Sequence, residues 1–359
     1  MGVMMANLYT KDGWIDFDKL NRLSSTLNIV IGPRNSGKTY GKLLYNHLHN
    51  IPYVFLRTTQ KQIDTVFLDD LSPFEKINHD TGSRYCCARL PKSSIIGVYE
   101  DYTETDGKRK PIGKPVNYCA ALMQIGSVRG FNLDTIPELV YDEFVKHPGE
   151  IIQNYSKSAV MYFDIMSTLN RAREINGRPA IKQWLFGNSD NLGMPLLQEL
   201  RLIRPIMSML QAGENYRKIK EREISIFICK NSPAARRLKE ISTIAKIIDG
   251  TDYSEMAYNN KFVYDDFSMC EPQPIGQYIP IAVIGKIMLM EHKTKDLYYV
   301  RRYDGNISGV KRYSESLTGR ELFRAKFGYL YYWLLNDSIY FSSYSEKLYF
   351  KTLLNVDNS

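Results

Sequence analysis

Eight residues near the start of the chain, Gly32-Pro33-Arg34-Asn35-Ser36-Gly37-Lys38-Thr39, constrain its fold more than any other stretch. They fill the pattern G-x-x-x-x-G-K-[ST] at every fixed position. Gly37 lets the backbone turn tightly, so that successive N–H groups can face a phosphate. The helix that follows adds the positive end of its dipole. Lys38 is expected to reach the β- and γ-phosphates, and the Thr39 hydroxyl to ligate Mg²⁺. Gly32 to Thr39 is therefore read as the binding loop for ATP with Mg²⁺.

The flanking pattern fits. Leu27-Asn28-Ile29-Val30-Ile31 reads as a buried parallel strand that ends at Gly32. Lys38 onward carries Leu43, Leu44 and Leu48 at helical spacing. Tyr53-Val54-Phe55-Leu56 is a second strand, stopped by Arg57, which stands as a possible site residue. Leu139-Val140-Tyr141 is a third and ends in Asp142-Glu143. Residues 182–186 make a fourth, ending near Asn188. Alternating strands and helices predict a parallel α/β sheet whose ligands sit at the carboxyl edge.

An apolar strand tipped by Asp, a hundred residues after a P-loop, supplies the second half of the site. Asp142 would hold Mg²⁺ through water, and Glu143 would orient and deprotonate the attacking water. A glutamate base beside the metal-binding Asp marks P-loop NTPases of the additional-strand type. No Asn-Lys-x-Asp motif is found, which disfavours GTP. Asn188 at a strand end could sense the γ-phosphate or cap the next helix.

The chain of 359 residues has a formal net charge of +8, a balance that favours polyanionic partners. Hydrophobic residues at 44% can supply a sizeable core. Five cysteines, with no CxxC, speak against a disulfide framework and for a reducing cytosol. The apolar run 279–290 is short and carries Lys286, so no membrane span is expected. Residues 103–114 read as an exposed loop or hairpin tip, and residues 196–210 as helix. The basic excess concentrates in 214–246, read as a surface helix or a DNA-touching connector. Candidate DNA contacts are Lys108, Arg109, Lys110, Arg217, Lys218 and Lys220. Short β-like runs follow from residue 261, among them 279–284 and 297–300. The division expected is a P-loop ATPase domain at 1–213, a small basic linker or lid at 214–256, and a smaller α+β C-terminal domain at 257–359.

With these residues placed, the sequence resembles the DNA-packaging ATPases of small podoviruses related to phage phi-twenty-nine, themselves related to the ATPase part of phage large terminases. The likeness rests on Asn28 to Gly32 leading into the P-loop, Val54-Phe55-Leu56-Arg57, Val140-Tyr141-Asp142-Glu143-Phe144, Leu169-Asn170-Arg171-Ala172-Arg173-Glu174, Leu185-Phe186-Gly187-Asn188, and Ile248-Asp249-Gly250-Thr251-Asp252-Tyr253-Ser254-Glu255-Met256. It spans residues 27–262. The resemblance implies a homo-oligomeric ring, a pentamer, at the portal vertex of an empty capsid in the cytoplasm of the infected bacterium. The ring drives double-stranded DNA inward, with or without an RNA adaptor, and is absent from the mature virion. The resemblance also implies a C-terminal domain of ribonuclease-H-like fold without nuclease activity. It places Arg171 as an arginine finger acting in trans, with Arg173 as second choice. It further places Arg129 as a basic residue acting across the interface, where relatives carry a lysine.

Three other readings compete. A helicase or recombination-type ATPase shares the P-loop and the Asp-Glu pair, but no second lobe is found. A packaging nuclease would need Asp265, Asp266, Glu291, Asp296, Asp304 and Asp337 to converge. A nucleotide-gated scaffold is disfavoured by the intact Lys38, Thr39, Asp142 and Glu143.

Overall fold

The computed structural model describes residues 7–67, 72–127, 135–146, 150, 152–171, 173–189, 191–230, 232–259, 265–303 and 305–356. These fall into two compact units. The first comprises residues 1–199 with 208–264, and the second 200–207 with 265–359.

The strands of the first unit are β1 (Leu27–Ile31), β2 (Tyr53–Arg57), β3 (Cys86–Arg89), β4 (Ile96–Tyr99), β5 (Asp101–Thr105), β6 (Lys108–Ile112), β7 (Asn117–Ala121), β8 (Glu138–Asp142), β9 (Lys182–Gly187), β10 (Tyr216–Ile219) and β11 (Ile224–Ile228). Its helices are α1 (Phe17–Leu23), α2 (Lys38–Leu48), α3 (Gln60–Phe67), α4 (Pro73–Thr81), α5 (Ser158–Asn170), α6 (Pro195–Glu199), α7 (Ile203–Ala212), α8 (Pro233–Ile241), α9 (Thr243–Ile247) and α10 (Asp252–Asn259). Part of α7 groups with the second unit.

Nine strands form one sheet in the order β10-β11-β1-β9-β8-β2-β7-β4-β3. The run from β11 to β7 is parallel, and β10, β4 and β3 add antiparallel edges. Every residue of β1, β8 and β11 is buried, as central parallel strands covered on both faces require. The buried Asn28 in β1 is satisfied locally. Its side-chain amide bonds the Ser25 N–H, the Ser25 carbonyl and the Gln183 carbonyl at 2.8–3.0 Å. Strand β9 lies between β1, which feeds the P-loop, and β8, which carries Asp142. That inserted strand defines the additional-strand class of P-loop NTPases, as the Asp-Glu pair predicted.

Two expectations change. Residues 214–246 are not a separate connector. They hold β10, β11, α8 and α9, and β11 pairs with β1 along its whole length. The second unit accordingly begins near 265 rather than 257. The helix expected over 196–210 is two helices, α6 and α7, parted at Arg201, whose φ is 53°. The 103–114 loop is the hairpin β5–β6, exposed along most of both strands.

The second unit holds β12 (Tyr278–Ile284), β13 (Ile287–His292), β14 (Tyr298–Arg302), β15 (Lys311–Tyr313), β16 (Ile339–Phe341), α11 (Leu317–Phe327), α12 (Leu330–Leu335) and α13 (Tyr344–Leu353). Strands β12, β13 and β14 form an antiparallel meander, with β15 parallel to β12 and β16 parallel to β14 at the two edges. One sheet face packs Ile287, Leu289 and Val300 against Phe323, Phe327 and Phe350. The other buries Tyr278, Val283, Met288, Met290 and Tyr299. Among the described residues no helix is long and apolar enough to cross a membrane.

Candidate nucleotide site

The P-loop is built by backbone geometry. Asn35 (φ 56°) and Gly37 (φ 86°) both lie in the left-handed region, which turns the loop's N–H groups toward a common centre. Gly37 sits at the N-cap of α2, where no side chain caps the helix, and the positive end of the helix dipole faces the loop. Three segments brace the loop from behind. Ile15 donates its N–H to the Ser36 carbonyl (3.1 Å), Gly32 to Gly187 (3.2 Å) and Arg34 to Ala257 (3.0 Å). Trp14 lies against Gly37, where an added Cβ would come within 3.3 Å of its ring.

The polar side chains expected from sequence converge. Lys38 Nζ donates to the Gly32 and Pro33 carbonyls (2.8 and 2.7 Å) and to Asn188 Oδ1 (3.0 Å). Thr39 Oγ1 donates to Asp142 Oδ2 at 2.8 Å. Ser36 Oγ caps the Pro33 carbonyl at 2.9 Å. A cleft of about 330 Å³ is lined by Arg34 to Tyr40, Asp142, Glu143, Phe186 and Asn188. Gly187 is required where β9 passes the end of β8, because a Cβ there would meet Val145 at 2.7 Å and Phe144 at 2.9 Å.

Arg57 is the residue whose importance the sequence understated. From the end of β2 its guanidinium donates to Asp142 Oδ2 at 2.8 Å and also binds the Glu143 carboxylate. β2 pairs directly with β8, and this neighbour relation is what brings Arg57 to the carboxylates. Glu143 has φ 51°, a strained backbone for this side chain, and its side chain is 49% exposed at the cleft mouth. Partial burial pushes its carboxyl above the usual range, while Arg57 opposes that shift.

Thr39 and Asp142 offer only oxygen donors, close together beside the loop, which suits a hard divalent cation. They would hold Mg²⁺. Arg34 lies at the loop with its guanidinium 5.7 Å from the Tyr253 ring centre.

The other candidates fall elsewhere. Arg171 is exposed immediately after α5. Arg173 is buried, and donates to the Pro179 carbonyl (3.1 Å) and the Ile136 carbonyl (3.0 Å). Anchored inward, it is not free to reach another subunit, which removes the second choice of finger. Arg129 lies outside the described residues. Lys108, Arg109 and Lys110 are exposed on β6, with Arg109 bound to Glu75 and stacked 4.9 Å from the Tyr102 ring. Arg217 pairs with Glu214 at 2.7 Å, whereas Lys218 and Lys220 are exposed. Asp265 accepts from the Tyr344 hydroxyl (2.6 Å) and Asp266 from Lys347 Nζ (2.7 Å). Among the described residues no three His, Cys, Asp or Glu side chains converge, and Asp304 lies outside them.

The fold and this cleft together are those of the additional-strand class of P-loop NTPase folds. Among solved structures, the chain is similar to the Phi-28 gp11 DNA packaging motor, at 14% identity and TM-score 0.65, covering 97% of this chain and 99% of that one. It is similar also to the bacteriophage Phi-29 viral genome packaging motor assembly, at 13% identity and TM-score 0.62, covering 98% and 99%. The fold of these phage packaging motors thus extends over nearly the whole chain. No protein-family model matches it, and no curated protein does.

Proposed function

We propose that this protein is the ATPase of a phage DNA-packaging motor, acting as a homo-oligomeric ring on double-stranded DNA at the capsid portal. The observation that carries the reading is the meeting of Thr39, Asp142 and Glu143 beside the P-loop, in a chain with the packaging-motor fold from end to end. Mg²⁺ held by Thr39 and Asp142 would neutralise phosphate charge. The chain's own residues do the rest. Lys38 leaves its carbonyl partners for the β- and γ-phosphates, and Asn188, its present acceptor, reports that departure. Glu143 must leave Arg57 before it can accept a proton from water. The exposed Arg171 is the candidate to reach a neighbour's γ-phosphate. Exposed cations such as Lys108, Lys110, Lys218 and Lys220 suit nonspecific, salt-sensitive contact with DNA phosphates.

The second unit is proposed to be nuclease-inactive, since Asp265 and Asp266 are engaged by Tyr344 and Lys347. ATP hydrolysis measured alone, with double-stranded DNA, and with empty capsids plus DNA tests the reading. Stimulation only by the full set supports packaging. Stimulation by DNA that capsids do not increase would favour a capsid-independent translocase.

A further inference from the structure

Behind the nucleotide cleft lies a charged cluster that none of the steps above uses. Lys42 and Glu138 form an ion pair of 2.7 Å with side chains 0% and 5% exposed. Asn46 donates to the same Glu138 Oε2 at 2.9 Å. The Lys42 ammonium also lies 4.7 Å from the Trp184 ring and 4.9 Å from the Tyr45 ring. Lys42 and Asn46 belong to α2, Glu138 opens β8, and Trp184 belongs to β9.

We propose that the buried Lys42–Glu138 pair is a positioning device for the cation site, fixing the separation of Thr39 and Asp142. The argument is geometric. Thr39 and Asn46 stand about 10 Å apart along α2, at 1.5 Å per residue. Glu138 and Asp142 stand about 13 Å apart along β8, at 3.3 Å per residue. Helix and strand are therefore two rails of similar length. Thr39 Oγ1 to Asp142 Oδ2 is one rung, and Lys42 with Asn46 to Glu138 is the other.

A second rung is needed because β1, the strand that delivers α2, does not pair with β8. Strand β9 lies between them, so no backbone ladder joins the two rails directly. Apolar packing would fill the same space, and replacing a buried ion pair with apolar groups is often neutral for stability. Apolar contact tolerates sliding, however, whereas an ion pair whose carboxylate oxygen is also held by the Asn46 amide allows one register. Asn46 and Lys42 meet a single oxygen, and Trp184 of β9 seats the ammonium. The pair touches neither phosphate nor cation and acts only through Thr39 and Asp142.

The inference rests on Thr39 and Asp142 holding the divalent cation. The test uses the full chain carrying Lys42→Met with Glu138→Leu, and Mn²⁺ as the probe. Mn²⁺ binding is followed by electron paramagnetic resonance in the presence of ADP, and ADP binding is measured separately in EDTA. The double variant is expected to fold, with Mn²⁺ affinity reduced about tenfold or more and EDTA-resistant ADP binding within about twofold of the parent. Should the double variant not fold, Glu138→Gln keeps the volume and an acceptor for Asn46 and is read in the same two ways, with an expected loss of about threefold. Equal Mn²⁺ affinity in a folded variant, parallel loss of both affinities, or failure of both variants to fold overturns the inference and leaves the pair a core element. A parent chain that holds no Mn²⁺ with ADP would instead overturn the reading of Thr39 and Asp142.

Discussion

In the first unit β1, β9, β8 and β2 run side by side in the same direction, so Gly32, Asn188, Asp142 and Arg57 all emerge along one edge. In the second unit β12, β13 and β14 alternate in direction, and among the described residues the acids form no group placed to hold a metal ion. Both units place acidic residues near strand ends. In the first unit parallel order brings them to one edge, whereas in the second Asp265 and Asp266, which precede β12, pair one each with Tyr344 and Lys347.

The contrast breaks if the first unit proves self-sufficient. Arg171→Ala should lower kcat by about 10³-fold or more, the range expected for a finger supplied in trans. Mixing Arg171→Ala with Glu143→Gln subunits should restore part of the rate in a steady-state assay. An unrestored mixture would mean that each site is complete in its own subunit. Glu143→Gln alone should cost about 10²- to 10⁴-fold in turnover while nucleotide binding, followed by calorimetry, persists. Asp266→Asn in the second unit should leave turnover unchanged, and any matching loss there would erase the difference between the units.

The smallest effects concern pH and stability, and they run in opposite directions. Partial burial works against the Asp266 carboxylate, yet hydrogen bonds from Lys347 and Ser268 hold it down at about 2. An unfolded Asp titrates near ~3.9, so this pair stabilises above pH ~4 and its contribution is lost as pH falls toward 2. Burial pushes the Lys42 ammonium down to about 8, with Glu138 opposing. An unfolded Lys titrates near ~10.4, so between pH 8 and that value the unfolded chain binds more protons. The Lys42 contribution to stability therefore improves as pH rises through that window. Urea titrations across pH should show a smaller acid loss in Lys347→Met and a smaller alkaline gain in Lys42→Met. Lys347→Met should itself cost about 1–3 kcal/mol, as for a lost hydrogen bond to a charged group.

What was legible in the sequence follows from how local each signal is. The P-loop, β1, α2 and the Asp142-Glu143 strand tip are contiguous patterns, and each stands where the residues indicated. Strands β10 and β11 are hidden by the charge spread over 214–246. Within it Ile224-Ser225-Ile226-Phe227-Ile228 is five buried residues flanked in sequence by lysines and arginines. Arg173 reads from sequence like a surface arginine, and only the carbonyls of Ile136 and Pro179 reveal it as an anchor. The role of Arg57 and the Lys42–Glu138 pair depend on which strands are neighbours, a property no local window contains.

The placement of β1 has a consequence for how the protein is made. β1 is synthesised before both of its partners, β9 at residues 183–187 and β11 at residues 224–228. Until the ribosome has released both, β1 presents two unpaired hydrophobic edges, the arrangement most open to aggregation. Closing such distant pairings is slow. A chain cut at residue 213 would lose β11 permanently and leave β1 with an open side. A unit expressed alone must therefore extend past residue 228 to keep β1 paired on both sides.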